Sequence, residues 1–361
     1  MNSIDKKHTW ARFCSWVANH RKLLIIIGSI VVLLTAAALT YFFVFYKPTP
    51  TQPKPETQLP KVEPIKYYSP LTGTLVESES LTKRPVTGIM IENSPEARPQ
   101  SGLKNSGVVF EAIAEGGITR FLALYQTEQP QLIGPVRSVR SYYVDWLAAF
   151  NASIAHIGGS AAALNEVRNG KYRDIDQFFN DNTYWRSTDR FAPHNVYTSF
   201  AKIDALNTSL GYTSSTFDSF RRIDGKAAQT QNAKSINMSI STSLFNSSYI
   251  YDPTNNTYAR YQAGAAHLDR EGGQITPSVV IALLVDEQTM MEDGYRQNIK
   301  TIGSGRAVIF QNGTATEGIW SKSSPTSQIK FTDTTGVEIL LIRGQTWITA
   351  IPNGSGDVTW Q

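Results

Sequence analysis

The residues best suited to chemistry lie between Gly134 and Ser160. The chain there reads Gly-Pro-Val-Arg-Ser-Val-Arg-Ser, then an apolar periodic stretch through Phe150, then Ser-Ile-Ala-His-Ile-Gly-Gly-Ser. Arg137 and Arg140 stand where the periodicity predicts a helix to begin. His156 closes a short apolar strand, and Ser160 is placed to cap a helix over 161–168 that Gly170 ends. Guanidinium forks bind phosphate and carboxylate bidentately, and a glycine turn entering a helix lets backbone N–H groups approach an anion. Arginines beside a helix N-terminus oppose its dipole by about 0.3–1 kcal/mol each. Something negative must offset them. Either Asp145, Glu111 or Glu115 does so, or a bound phosphate, pyrophosphate or carboxylate does.

Other polar residues extend this candidate site. Arg98 lies in the loop Ala97–Gly102, and Arg120 follows a Gly116-Gly117 hairpin signal. A two-residue turn there sets residue 115 opposite 118 and 113 opposite 120. Arg120 then has Glu111 and Glu115 as diagonal neighbours, which makes a structural ion pair an alternative to ligand binding. The aromatic, charged loop 184–197 adds Arg186, His194 and Asn195. The expected ligand-binding set is Arg98, Arg120, Arg137, Arg140, His156, Ser160, Arg186, His194 and Asn195. Asp145 and His156 are the candidates for a catalytic base, should a reaction occur.

Familiar catalytic patterns are missing. The chain has no G-x-S-x-G elbow, no phosphate-loop motif and no dinucleotide fingerprint. His156 and His194 with Asp145 or Asp189 lack the spacing of a metal site, and neither metal nor other cofactor is expected. Arg120 would keep both Glu111 and Glu115 ionised, which removes the general acid a glycosidase requires.

The elements around these residues follow from charge and hydropathy. Leu23 to Tyr46 carries no charge and exceeds the roughly 20 residues needed to span a bilayer. A cleaved signal peptide has a shorter apolar core of about 7–15 residues. Five Lys/Arg precede the run and Lys47 alone follows closely, which predicts a cytoplasmic N-terminus and everything after Tyr46 outside the cell. Trp16, Tyr41 and Tyr46 suit the interfaces. Residues 1–22 form a cytoplasmic tail, 23–46 the membrane helix and bilayer contact, and 47–70 a linker with seven prolines, extended and semi-rigid.

The tail carries +4 and the linker +2, so the chain's net +4 leaves residues 71–361 at −2. That balance excludes the broad basic field of a nucleic-acid binder. Cys14 is the single cysteine, so no disulfide staples the fold. The expected class is α+β: a mixed α/β first ectodomain over 71–225, a polar connection over 226–243, a β-rich second domain over 244–355 built from short turn-separated strands, and a tail at 356–361.

Several of these stretches also resemble the YerB-like family of bacterial lipoproteins, which carry paired domains of unknown function. They are Ala97–Gly102, Glu115-Gly-Gly-Ile-Thr-Arg-Phe121, Ile133–Arg140, His156–Ser160 and Ala192-Pro-His-Asn-Val-Tyr-Thr-Ser199. In the second region they are Gly303–Arg306, Phe310–Gly313, Gly318–Trp320 and Gly344–Trp347. The resemblance implies an envelope protein without an assigned reaction. Here an uncleaved helix replaces the lipidated cysteine. Three functions fit: a tethered receptor for an anionic envelope ligand, a phosphoryl or glycan-phosphate transferase in the same pocket, or a scaffold for an envelope protein.

Overall fold

The computed structural model describes residues 3–48, 65–290 and 296–361. It divides into two units, Met1–Pro64 and Ile65–Gln361. Of the proline-rich linker, residues 49–64 lie outside the described residues. In the first unit, α1 (Ser3–Asn19) makes the expected tail helical, and α2 (Arg21–Phe45) follows one residue later. α2 buries no residue and is long and apolar enough to cross a membrane. At 1.5 Å per residue it extends about 37 Å, which exceeds a hydrocarbon core of about 30 Å and so accommodates tilt.

In the second unit, after a short two-stranded ribbon and one helical turn before residue 87, come β1 (Thr87–Glu92), β2 (Val108–Glu115) and β3 (Ile118–Tyr125). Then come α3 (Ser141–Ala148), β4 (Ser153–His156), α4 (Ala161–Val167), β5 (Arg173–Asp176) and α5 (Phe200–Ser209). The β-rich part supplies β6 (Ser235–Ser239), β7 (Ser247–Asp252), β8 (Thr257–Gln262), β9 (Ala265–Ala266) and β10 (Val279–Val285). It continues with β11 (Glu287–Met290), β12 (Arg296–Ile299), β13 (Gly303–Gln311) and β14 (Thr314–Lys322). β15 (Lys330–Asp333), β16 (Thr346–Pro352) and β17 (Asp357–Trp360) complete it.

One sheet runs β15-β14-β13-β10-β16-β2-β3-β1-β4-β5, with β12 joined to β2 and β11 to β12. β16 lies parallel to β2, from Thr346 opposite Val108 to Thr349 opposite Glu111. The mixed and β-rich parts therefore share a main-chain ladder. A second sheet runs β9-β8-β7-β6-β17. It draws β6 from the expected connection and β17 from the expected tail. Alternation of buried Ile236, Met238 and Ile240 with exposed Asn237 and Ser239 explains β6, which the Ser- and Asn-rich composition conceals.

The large sheet is buried on both faces. Phe110, Leu122 and Leu124 pack against Tyr143, Trp146 and Leu147 of α3 and Val167 of α4. Val109, Phe121 and Ala123 pack against Phe200 and Ile203 of α5 and against Ile236, Tyr249 and Tyr258 of the second sheet. α3 lies so close to β1 that a Cβ at Gly88 would stand 2.2 Å from Leu147 Cδ1.

Between the two sheets is a charged pair with no exposure on either side chain. Arg260 Nη2 donates to both oxygens of Glu111, at 3.1 and 3.0 Å, and Trp347 Nε1 donates to Glu111 Oε2 at 3.0 Å. Arg260 Nε donates to His267 Nδ1 at 2.9 Å and Nη1 to the Tyr249 hydroxyl at 2.5 Å, while the guanidinium carbon stands 4.4 Å from the Trp347 ring centre. His267 Nε2 therefore carries the proton and donates to Gln100 Oε1 at 3.0 Å. Burial, reinforced by the Arg260 charge, holds that imidazole neutral, well below its ordinary range. Removing one partner of such a pair costs about 3–5 kcal/mol. Glu111→Ala should lower stability by that amount in urea unfolding, and Glu111→Ala with Arg260→Met should recover part of it.

Candidate functional site

Four titratable residues end parallel strands on one edge of the sheet. They are Glu92 of β1, Glu115 of β2, His156 of β4 and Asp176 of β5. In sheets of this kind ligands bind outside the carboxyl ends of the strands. The segment carrying the predicted arginines crosses these ends. Glu92 N–H donates to Pro135 O at 2.9 Å, Arg137 N–H to Met90 O at 2.9 Å, and Val139 N–H to Gly158 O at 3.0 Å. Tertiary structure thus gathers the predicted residues along one edge, but in three groups rather than one pocket.

The first group surrounds Glu115. Arg120 Nη2 donates to Oε1 at 3.0 Å, Arg140 Nη2 donates to Oε2, and Arg296 Nε stands 3.9 Å from Oε2. A bulge between Ile113 and Glu115 produces this arrangement by setting Thr119, not Arg120, opposite Ile113. The extra residue turns Glu115 to the face of Arg120, whereas Glu111 points to the opposite face and Arg260. Arg120 therefore takes one of its two expected carboxylate partners. Burial pushes the Glu115 carboxyl up, but Arg120 and Arg140 overcome that and hold it below its usual range. Burial, then the Arg120 charge, lowers Arg140. Asp145 neutralises neither Arg137 nor Arg140, because it accepts from Thr301 Oγ1 at 2.5 Å.

Beside this group is a cavity of about 410 Å³ between the starts of α3 and α4 and the β11–β12 hairpin. Arg140, Ser141, Ser160, Arg296 and Asn298 are on its wall. Ser160 caps α4 as expected, accepting from Ala163 N–H at 3.3 Å. α3 has no side-chain cap, since its N-cap residue is Arg140. Tyr143 and Val144 N–H turn back to Arg140 O, and the N–H groups of Ser141 and Tyr142 meet no acceptor among the described residues.

The second group surrounds Glu92. Its Oε1 accepts from His194 Nδ1 at 3.0 Å and Ser94 Oγ at 3.1 Å, and Arg137 Nε stands 3.1 Å away as an ion pair without hydrogen-bond geometry. Arg98 bonds Asn93 Oδ1, Asn93 O and Leu244 O, and Arg186 Nη1 donates to Asn195 Oδ1 at 2.8 Å. The third group holds His156, with Nε2 2.8 Å from Asp174 Oδ1 and Nδ1 2.8 Å from Gly158 O. His156, Asp174 and Asp176 bring possible metal-ligand atoms within 4.8 Å of one another, a set different from the combination of His156 and His194 with Asp145 or Asp189 that the spacing argued against. Asp176 is committed, accepting from Arg168 Nη2 at 2.5 Å and from Phe178 N–H at 3.1 Å. The two candidate bases thus bond different partners, Asp145 to Thr301 and His156 to Asp174. Sequence reasoning missed Glu92, Asp174 and Asp176, whose only signal is their position at or near strand ends.

Glu287 of β11 pairs across the hairpin with Ile299, and burial pushes its carboxyl up to about 7. Unfolded, it ionises near 4.5. Between these values the native state keeps a proton that the unfolded chain has lost, so this group's contribution to stability falls as pH rises from about 4.5 to 7. Thermal unfolding of the wild type against Glu287→Gln should show the difference closing across that window and beyond it reversing in favour of the variant.

Comparison with known proteins agrees with this architecture. Residues 71–213 match the N-terminal domain, and residues 235–348 the C-terminal domain, of a protein family of unknown function, DUF3048. The "Putative lipoprotein YerB" of Bacillus subtilis (strain 168) is 30% identical over 296 residues, spanning 80% of this chain and 87% of that protein. The crystal structure of YerB protein from Bacillus subtilis superposes with a TM-score of 0.73 at 28% identity, covering 81% of this chain and 100% of that one. The chain belongs to the YerB family, whose members pair these two domains of unknown function.

Proposed function

We propose that this protein is held in the cell membrane by α2, with α1 in the cytoplasm and the Ile65–Gln361 unit outside, where it binds an anionic ligand of the cell envelope. The observation that carries the binding reading is the cavity at Arg140. Two buried guanidiniums, Arg120 and Arg140, share the single carboxylate of Glu115, so positive charge is left over at its wall. The uncapped start of α3 adds N–H groups and the positive end of a helix dipole. Volume and lining suit a phosphate, pyrophosphate or carboxylate group carried on a larger molecule. A receptor requires no base, whereas a transferase here would have to release Asp145 or His156 from its present partner.

The binding test is a thermal-shift screen of the full chain in detergent with pyrophosphate, lipid-phosphate analogues and muropeptides. At least one should raise the melting temperature, and Arg140→Ala should remove the shift. Ala161→Glu is the cleaner variant, because it places a carboxylate in the cavity from an exposed position without disturbing Glu115. It should abolish the shift while leaving the unliganded melting temperature within about 1 °C, as surface changes usually do.

The orientation has its own test in the only thiol. Cys14 in α1 is exposed. A membrane-impermeant maleimide should leave it unlabelled in intact cells and label it after permeabilisation; labelling of intact cells would reverse the topology.

A further inference from the structure

The Glu92 group has a feature that its ion pairs do not use up. Glu92 is 3% exposed, and one oxygen, Oε1, accepts from His194 Nδ1 and ion-pairs with Arg137, whose Nε stands 3.1 Å away. Glu92 so engages one edge of each partner and leaves the other edge unbonded. Among the described residues no acceptor meets the Nη groups of Arg137 or Nε2 of His194, and both side chains are 23% exposed. A carboxylate on Nδ1 fixes a histidine's tautomer and orientation, and the other ring nitrogen becomes available to a ligand. Here that nitrogen stands beside a guanidinium steadied by the same oxygen.

The surroundings are cationic. Arg98, Arg186 and Arg190 flank the pair from the loops on either side and bond only carbonyl or amide oxygens. Asp189 in the same loop is taken by Arg270, which leaves Glu96 as the remaining carboxylate of these loops. We propose that Arg137 and His194, braced on Glu92, form an acid–base site for a phosphate monoester or free phosphate, separate from the cavity at Arg140. Arg137 holds the anion through its open edge, and His194 Nε2 exchanges a proton with it. Phosphate fits better than carboxylate because its second ionisation falls in the pH range in which imidazole titrates, whereas a carboxylate stays ionised throughout. A proton taken from solvent on binding can then be shared between a ligand oxygen and the imidazole.

The test is titration calorimetry of the full chain in detergent with inorganic phosphate and phenyl phosphate at pH 7. Each titration is run in two buffers of different ionisation enthalpy, so that proton uptake is read directly. Phosphate should bind with uptake of a fraction of a proton. Arg137→Ala should weaken binding about tenfold or more. His194→Gln should retain weakened binding but lose the proton uptake, which a purely structural histidine would not affect. Because phosphate can also enter the cavity at Arg140, every titration is repeated on Ala161→Glu, which blocks it; the uptake should persist there and be lost in Ala161→Glu with His194→Gln. Absence of phosphate binding in the wild type, uptake that survives His194→Gln, or equal affinity for acetate would each overturn the proposal. Should Arg137→Ala misfold, Arg137→Lys keeps the charge without the fork and should still weaken phosphate binding.

Discussion

The Arg260–Glu111 pair is the constraint on which the rest of the Ile65–Gln361 unit depends. An ion pair removed from water is favourable only if every lone pair and N–H finds a partner. Those partners come from many places in the chain: Trp347 of β16, Tyr249 of β7, His267, and Gln100 through His267. No subset of these elements satisfies the charges alone. The mixed part and the β-rich part are therefore specified together, and the main-chain ladder between β2 and β16 lies directly beside the pair.

The same strand that buries Glu111 also builds the functional edge. β2 presents Glu111 to one face of the sheet, and after a bulge it presents Glu115 to the other. One residue of slippage separates a structural carboxylate from one that organises arginines. Parallel strands beyond β3 bring Glu92, His156 and Asp176 to the same edge, and the crossing segment 133–140 delivers Arg137 to one acid and Arg140 to the next. The division follows from extended backbone, in which residues three apart point in different directions.

Much of this was legible in the residue string. The apolar span, the α+β class, the cap at Ser160 and the hairpin at Gly116-Gly117 all follow from local rules that each window of sequence obeys alone. The arginines were identifiable as a set because their types and spacing are local too. Their partners were not. Glu115 was within five residues of Arg120 and could be named, whereas Arg137 finds Glu92 across 45 residues and Glu111 finds Arg260 across 149. β6 and β17 were hidden for a similar reason: short polar strands gain their stability from each other and from the core beneath them.

By itself the sequence determined where the chain has a helix apolar enough to cross a membrane, which class of fold it takes and which stretches are rich in charge, because hydropathy, turn chemistry and net charge are sums over neighbours. Tertiary structure alone decided which of those charges are neutralised and which keep an open edge. Desolvation and pairing depend on what the fold brings within about 4 Å, and a bulge or a crossing segment changes that without altering any local pattern.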